Sequence, residues 1–78
     1  MRNDIQRAIQ EVNKIDRDFL PDSVWETESD IILIDDEPGM PPYIVSKKNY
    51  SARQLEFGKE SDMKTAYVDS VKVEDWRT

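Results

Sequence analysis

The sequence predicts an α+β domain in which an N-terminal helix packs on a small antiparallel sheet of four to five strands. Three observations predict this class: an apolar stripe at helical spacing, short apolar runs after Pro21, and polar turns between those runs. If the sheet curls, it becomes a small SH3-like barrel. The length of 78 residues predicts one domain spanning 1–78.

Residues 3–19 have the pattern of an amphipathic helix. Asn3 is placed to cap it, with Gln6 three residues later, and Pro21 ends it because proline cannot continue the hydrogen-bond ladder. The apolar positions at three- and four-residue steps are Ile5, Ala8, Ile9, Val12, Ile15 and Phe19. Asp16 interrupts this face, so either it marks fraying or the core edge, or it pairs with a base on a partner.

Residues 24–76 are predicted to be rich in strands. The candidate strands are Val24–Thr27, Ile31–Ile34, Tyr43–Ser46 and Thr65–Val73, the last with a break near Asp69. Ile31–Ile34 is a continuous apolar run bounded by acids, which is typical of a central strand covered on both sides. Residues 37–42 contain three of the four prolines and predict a loop, and residues 58–63 predict a polar turn.

Residues 50–58 fit two patterns. Ser51 and Gln54 form a capping box, and Gly58 suits the end of a short helix. The alternation of polar and apolar residues over 52–57 instead favours a half-buried strand, with residues 47–49 as a hairpin turn. We favour the strand, because a helix here has only about two turns.

The composition excludes the common kinds of catalytic and metal site. The chain has no His and no Cys, so it lacks the commonest general base and the usual ligands of structural zinc. Its two glycines cannot build a phosphate-binding loop. We therefore predict a protein that is not an enzyme and has no cofactor or metal. The lack of Cys and of an apolar run near ~20 residues fits a cytoplasmic location and no membrane span.

The most informative feature is a concentration of acids. The segment from Asp16 to Glu37 holds nine acids and one base, so it alone carries −8 while the whole chain carries −6. Such a local charge produces a directed field that attracts a basic surface and repels nucleic acid and anionic lipid. The same acids also fit a surface that only keeps the protein soluble, and both interpretations stay open.

We predict from this segment an interaction protein that docks on a basic surface of another protein. In the strong form of this hypothesis, the partner is a nucleic-acid-binding enzyme. This chain would then be its inhibitor, of phage or mobile-element type. The residues predicted to contact the partner are Asp22, Trp25, Glu26, Glu28, Asp30, Asp35, Asp36, Glu37, Met40 and Tyr43. Charge selects the partner and aromatic residues supply most of the affinity. The oligomeric state is open.

The alternative places the binding surface in the C-terminal half. Bases alternate there with aromatic residues, a composition that binds single-stranded nucleic acid on small barrels. The bases are Lys47, Lys48, Arg53, Lys59, Lys64, Lys72 and Arg77, and the aromatic residues are Tyr43, Tyr50, Phe57 and Tyr67. The acidic segment opposes this binding, so we rank it second.

Overall fold

A five-stranded antiparallel sheet carries a helix on each face in the computed structural model, which describes residues 1–77. The elements are α1 (Asn3–Asn13), β1 (Ser23–Glu26), β2 (Asp30–Ile34), β3 (Tyr43–Ser46), β4 (Ala52–Gln54), α2 (Glu60–Lys64) with a π-helical turn (Thr65–Asp69), and β5 (Val71–Lys72). The strands lie in the order β4-β3-β2-β1-β5. The predicted α+β class is confirmed, and the sheet stays open because β4 and β5 form separate edges.

The larger core lies between α1 and one face of the sheet, called here the α1 face. Side chains alternate along a strand, so Ile31 and Leu33 of β2 point toward α1 while Ile32 points the other way. The buried residues on the α1 face are Ile5, Ala8, Ile9, Val12, Phe19, Val24, Ile31, Leu33, Tyr43, Val45, Val73 and Trp76. Five of the six apolar positions predicted for the helical stripe therefore pack in the core, and Ile15 is the exception.

α1 is shorter than the predicted helix over residues 3–19. It ends at Asn13, whose side-chain amide donates hydrogen bonds to the backbone oxygens of Asp16, at 3.1 Å, and Phe19, at 2.9 Å. These bonds turn the chain, so Ile15 leaves the core and is exposed. Asp16 lies beyond the helix, and fraying accounts for its place in the pattern. The predicted Asn3 cap is also wrong, because Arg2 occupies the capping position without a side-chain bond.

The central strands follow the prediction closely. β2 is the middle strand, and three of its residues are buried, as expected for an apolar run covered on both sides. β3 has the predicted bounds, and a turn joins it to β4 through residues 47–49. The choice of strand over helix for residues 52–57 is confirmed in type, although β4 is only three residues long.

The prediction for the C-terminal segment is wrong. Residues 58–63 are not only a turn, and Thr65–Val73 is not a strand, because residues 60–69 are helical. Only Val71–Lys72 pairs with β1. The helical segment crosses the second face of the sheet, called here the α2 face, where Ala66 packs with Ile32. The secondary structure of this segment is therefore determined by a long-range contact to the sheet and not by local strand propensity.

Candidate protein-binding surface

The β1–β2 hairpin divides the seven acids from Asp22 to Glu37 into two groups. The hairpin tip contains Glu26, Glu28 and Asp30, and the open end of the hairpin contains Asp22, Asp35, Asp36 and Glu37. The hairpin tip and the open end are four residue steps apart along β2, which corresponds to about 13 Å. This separation exceeds the Debye length of about 8 Å at physiological salt, so the two groups act as separate charges. The predicted continuous acidic surface is therefore two surfaces.

The hairpin tip is largely neutralised by bases. Glu26 accepts a hydrogen bond from Arg2 Nη1 at 2.9 Å and another from Lys47 Nζ at 2.8 Å. The bonds from Arg2 and then Lys47 lower the pKa of Glu26 from 4.5 to about 2. Glu28 and Asp30 line a shallow pocket together with Lys47 and Lys48. The tip therefore presents a mixed surface rather than a negative one.

The acids of the open end are held by backbone bonds instead of bases. The backbone N–H of Asp36 donates to Asp22 Oδ2 at 2.8 Å, and the N–H of Glu37 donates to Asp35 Oδ1 at 2.9 Å. Within residues 1–77, none of these four acids has a basic side-chain nitrogen within 4.0 Å. The carboxylates of the open end are therefore not neutralised by ion pairs within residues 1–77, and two of them bind backbone N–H groups of the loop.

The C-terminal segment borders the open end. Arg77 donates a hydrogen bond to the backbone oxygen of Pro21 at 3.3 Å, and its guanidinium carbon lies 4.9 Å from the ring centre of Trp76. Lys72 and Arg77 line a pocket of about 320 Å³ with Asp22. The positive charge of this segment lies beside Asp22, so Asp35, Asp36 and Glu37 form the more strongly negative part.

The three predicted apolar contact residues differ in accessibility. Tyr43 is only 4% exposed and packs edge-to-face on Phe19, with ring centres 5.0 Å apart. Burial, and then the charge of Asp16, raise the pKa of Tyr43. Tyr43 therefore belongs to the core and is not available as a contact. Trp25 is half-buried on the α2 face, and Met40 lies in the loop after the open end, also partly accessible.

The outside of the C-terminal helical segment carries an exposed apolar surface that was not predicted from the sequence. Tyr67 is 53% exposed and Val68 is 72% exposed. The residues of this helix stripe are Glu60, Met63, Lys64, Tyr67 and Val68, and they line a groove of about 530 Å³. Their spacing of three and four residues was the available signal, but strand propensity in residues 65–73 obscured it.

The inner side of the same helical segment is fixed by an ion pair. Asp62, 3% exposed, accepts hydrogen bonds from Arg53 Nη1 at 2.7 Å and Nη2 at 2.6 Å. It also accepts the backbone N–H of Glu56 at 3.0 Å. The Arg53 bonds hold the pKa of Asp62 far below its usual range. This bidentate clamp attaches α2 to β4.

The basic and aromatic residues of the C-terminal half do not form one stacking surface. Lys47 pairs with Glu26 and Arg53 pairs with Asp62, so two of the bases are occupied. Tyr50 packs against the α1-face core, with the Arg7 guanidinium 4.4 Å from its ring centre. Because these side chains are occupied within the protein, they are not free to contact a single-stranded nucleic acid, as the alternative function requires.

Two wider observations complete the site. Over residues 1–77, no group of three or more acids converges in a way that could hold a metal ion, and no helix is long and apolar enough to cross a membrane. Comparison of the chain with protein-family models, with curated proteins and with solved structures finds no match.

Proposed function

We propose that this chain is a non-enzymatic interaction protein whose open end docks on a basic surface of another protein. The observation that supports this function is the contrast between the two acidic groups. Glu26 at the hairpin tip is paired with two bases, whereas Asp35, Asp36 and Glu37 at the open end have no ion pair in residues 1–77. Structural pairing therefore does not explain the acids of the open end.

The chemistry of the open end favours a basic protein partner over other partners. Nucleic acid and anionic membranes carry the same sign of charge as the open end and are repelled by it. A basic patch is attracted, which raises the association rate and selects the partner. The partner that we propose is a nucleic-acid-binding enzyme, whose basic binding site the open end occupies as an inhibitor of phage or mobile-element type.

The small number of acids limits how far the protein imitates nucleic acid. Duplex DNA carries one charge per about 1.7 Å along its axis, whereas the open end supplies four carboxylates. These four cover only a short stretch of a DNA-binding site. We therefore propose an acidic binder that occupies part of a basic site, and not a mimic of a long duplex.

The test compares neutral variants of the two acidic groups. The partner is captured from the native host on the immobilised protein, purified, and its association is followed by stopped flow at several salt concentrations. We expect the triple change Asp35→Asn, Asp36→Asn and Glu37→Gln to slow association about ten-fold at low salt and to weaken its salt dependence. Each replacement keeps the side-chain oxygen acceptor, so the loop is preserved.

The matched control is Glu28→Gln at the hairpin tip. Glu28 is an exposed acid of the same segment, but it lies beside Lys47 and Lys48. We expect this variant to associate at the rate of the unchanged protein. Equal rates for the triple variant and the unchanged protein at low salt would contradict the proposed function.

A further inference from the structure

The helix stripe is an apolar surface that the fold itself does not use. The same helical segment already attaches to the sheet through Asp62, which binds Arg53, and Ala66, which packs with Ile32 and Ile44. Tyr67 and Val68 point away from these contacts and are more than half exposed. Exposed apolar residues are common singly, but adjacent ones that line a groove mark interaction sites.

The helix stripe extends from α2 into the π-helical turn Thr65–Asp69. A π-helical turn contains more residues than an α-helical turn, so it changes the phase of the side chains that follow. Ala66 stays against the sheet, whereas the next two residues, Tyr67 and Val68, face solvent. Such turns are often found at functional sites. The exposed residues Tyr67 and Val68 therefore lie within this turn, one helical turn after Met63 and Lys64.

The helix stripe and the open end both border the small core cluster of the α2 face. Met63 of the stripe packs on the same small core cluster as Trp25 and Ile34. The backbone oxygen of Ile34 accepts the N–H of Asp22 at 2.7 Å, so Ile34 lies at the open end. A partner that reaches the four acids can therefore extend over half-buried Trp25 and Met63 toward the stripe.

We propose that the helix stripe is the apolar half of the interface and that its occupant is an amphipathic basic helix of the partner. The proposal rests on the proposed function of the open end. Apolar residues of the partner helix cover Tyr67 and Val68, and its Lys and Arg residues face Asp35, Asp36 and Glu37. A second copy of this chain is disfavoured because each copy carries −6.

Two synthetic peptides test the proposal directly. One is an amphipathic helix of Leu and Lys, and the other has the same Lys positions with Gln in place of Leu. Both are titrated into the isotope-labelled protein and followed by NMR. We expect the Leu/Lys peptide to bind about ten-fold more tightly and to shift the amide signals of Met63, Tyr67 and Val68. The Gln/Lys peptide should shift only the open end.

Variants with matched controls identify the surface. The double change Tyr67→Ser and Val68→Ser should weaken Leu/Lys binding about ten-fold and leave Gln/Lys binding unchanged. The control is Ile15→Ser with Leu20→Ser, since both residues are exposed apolar side chains outside the stripe. The control should bind both peptides as the unchanged protein does. Circular dichroism verifies that both double variants are folded.

The outcomes separate this proposal from the proposed function. If the Gln/Lys peptide shifts the open end but the Leu/Lys peptide binds no more tightly, the helix stripe has no such role and the open end keeps its own. If neither peptide shifts the open end, both proposals are overturned. A dimer in sedimentation that the Tyr67→Ser, Val68→Ser variant abolishes would assign the stripe to a second copy instead.

Discussion

The two faces of the sheet are built differently. The α1 face buries twelve residues around α1, whereas the α2 face buries four, with Trp25, Ile34 and Met63 only partly covered. Apolar packing attaches α1, whereas an ion pair between half-exposed Arg53 and buried Asp62 contributes to the attachment of α2. The α1 face therefore supplies most of the stability, and the α2 face leaves more of its apolar groups accessible.

Two neighbouring residues of β2 face opposite sides of the sheet and allow the two cores to be weakened separately. Ile31 faces α1 and Ile32 faces α2, and both are fully buried. We expect Ile31→Ala to lower the free energy of unfolding by about 4 kcal/mol and Ile32→Ala by about 3 kcal/mol. The α2 face relaxes more readily around the smaller side chain. Urea denaturation measures both values, and a larger loss for Ile32→Ala would reverse the comparison.

The ion pair on the α2 face is the next largest expected effect. Arg53→Met leaves the buried carboxylate of Asp62 without its partner, and we expect a loss of about 2–3 kcal/mol. This loss is smaller than is typical for breaking a fully buried ion pair, because the Arg53 side chain is half-exposed. Urea denaturation measures it, and hydrogen exchange should show faster opening of α2 than of α1.

Two further variants control this result. Lys14→Met breaks an exposed pair with Glu11 on α1, and we expect a loss below about 0.5 kcal/mol. Adding Asp62→Leu to Arg53→Met removes the unpaired carboxylate and should restore part of the stability. If Arg53→Met costs no more than Lys14→Met, the ion pair does not hold α2 in place.

Acid should weaken the α1 face through Glu26, which lies on this face beside Arg2. The folded pKa of Glu26, about 2, is below its usual 4.5, so its contribution is full above pH 4.5 and is lost as pH falls toward 2. We expect Glu26→Gln to lower the free energy of unfolding by about 1 kcal/mol at pH 7. The difference from the unchanged protein should vanish near pH 2.

Thermal denaturation across this pH range measures the effect of Glu26. Glu28→Gln is the matched control, because Glu28 lies at the same hairpin tip, is exposed, and has no ion pair in residues 1–77. The control should keep the pH dependence of the unchanged protein. A constant difference between Glu26→Gln and the unchanged protein from pH 7 to pH 2 would contradict the role of this pairing.

The smallest effect on stability is expected at the open end. The triple change Asp35→Asn, Asp36→Asn and Glu37→Gln removes repulsion without breaking an ion pair, so we expect a change below about 0.5 kcal/mol. Thermal denaturation at low salt measures it, and any change should increase stability. A loss above about 1 kcal/mol would mean that these acids serve the fold rather than binding.

The sequence predicted the elements that local patterns determine. Ile31–Ile34 and Tyr43–Ser46 have apolar runs bounded by polar residues, and both form strands with nearly the predicted bounds. The end of α1 was missed because the amide of Asn13 binds carbonyls up to six residues away. The strand predicted for Thr65–Val73 failed because contacts of Ala66 with the sheet override local propensity.

The candidate surface was predicted only in part. The sequence identified the acids but not their separation, because neighbours in sequence lie at opposite ends once β1 and β2 pair. Pairing of Glu26 with Arg2 joins residues 24 positions apart, and no local pattern contains that information. Tyr43 has the composition of a contact residue, yet its position in β3 directs it into the core.

The C-terminal segment also has a consequence for synthesis of the protein. α2 and β5 pass from one edge of the sheet to the other, so residues 55–77 cover the α2 face last. A ribosome adds about 5–20 residues per second, which leaves Ile32 and Ile44 uncovered on the nascent chain for a time on the order of seconds. During this interval the outer edge of β1 is also unpaired and open to neighbouring chains. The rate at which residues 55–77 are synthesised therefore affects how long Ile32 and Ile44 stay uncovered on the nascent chain.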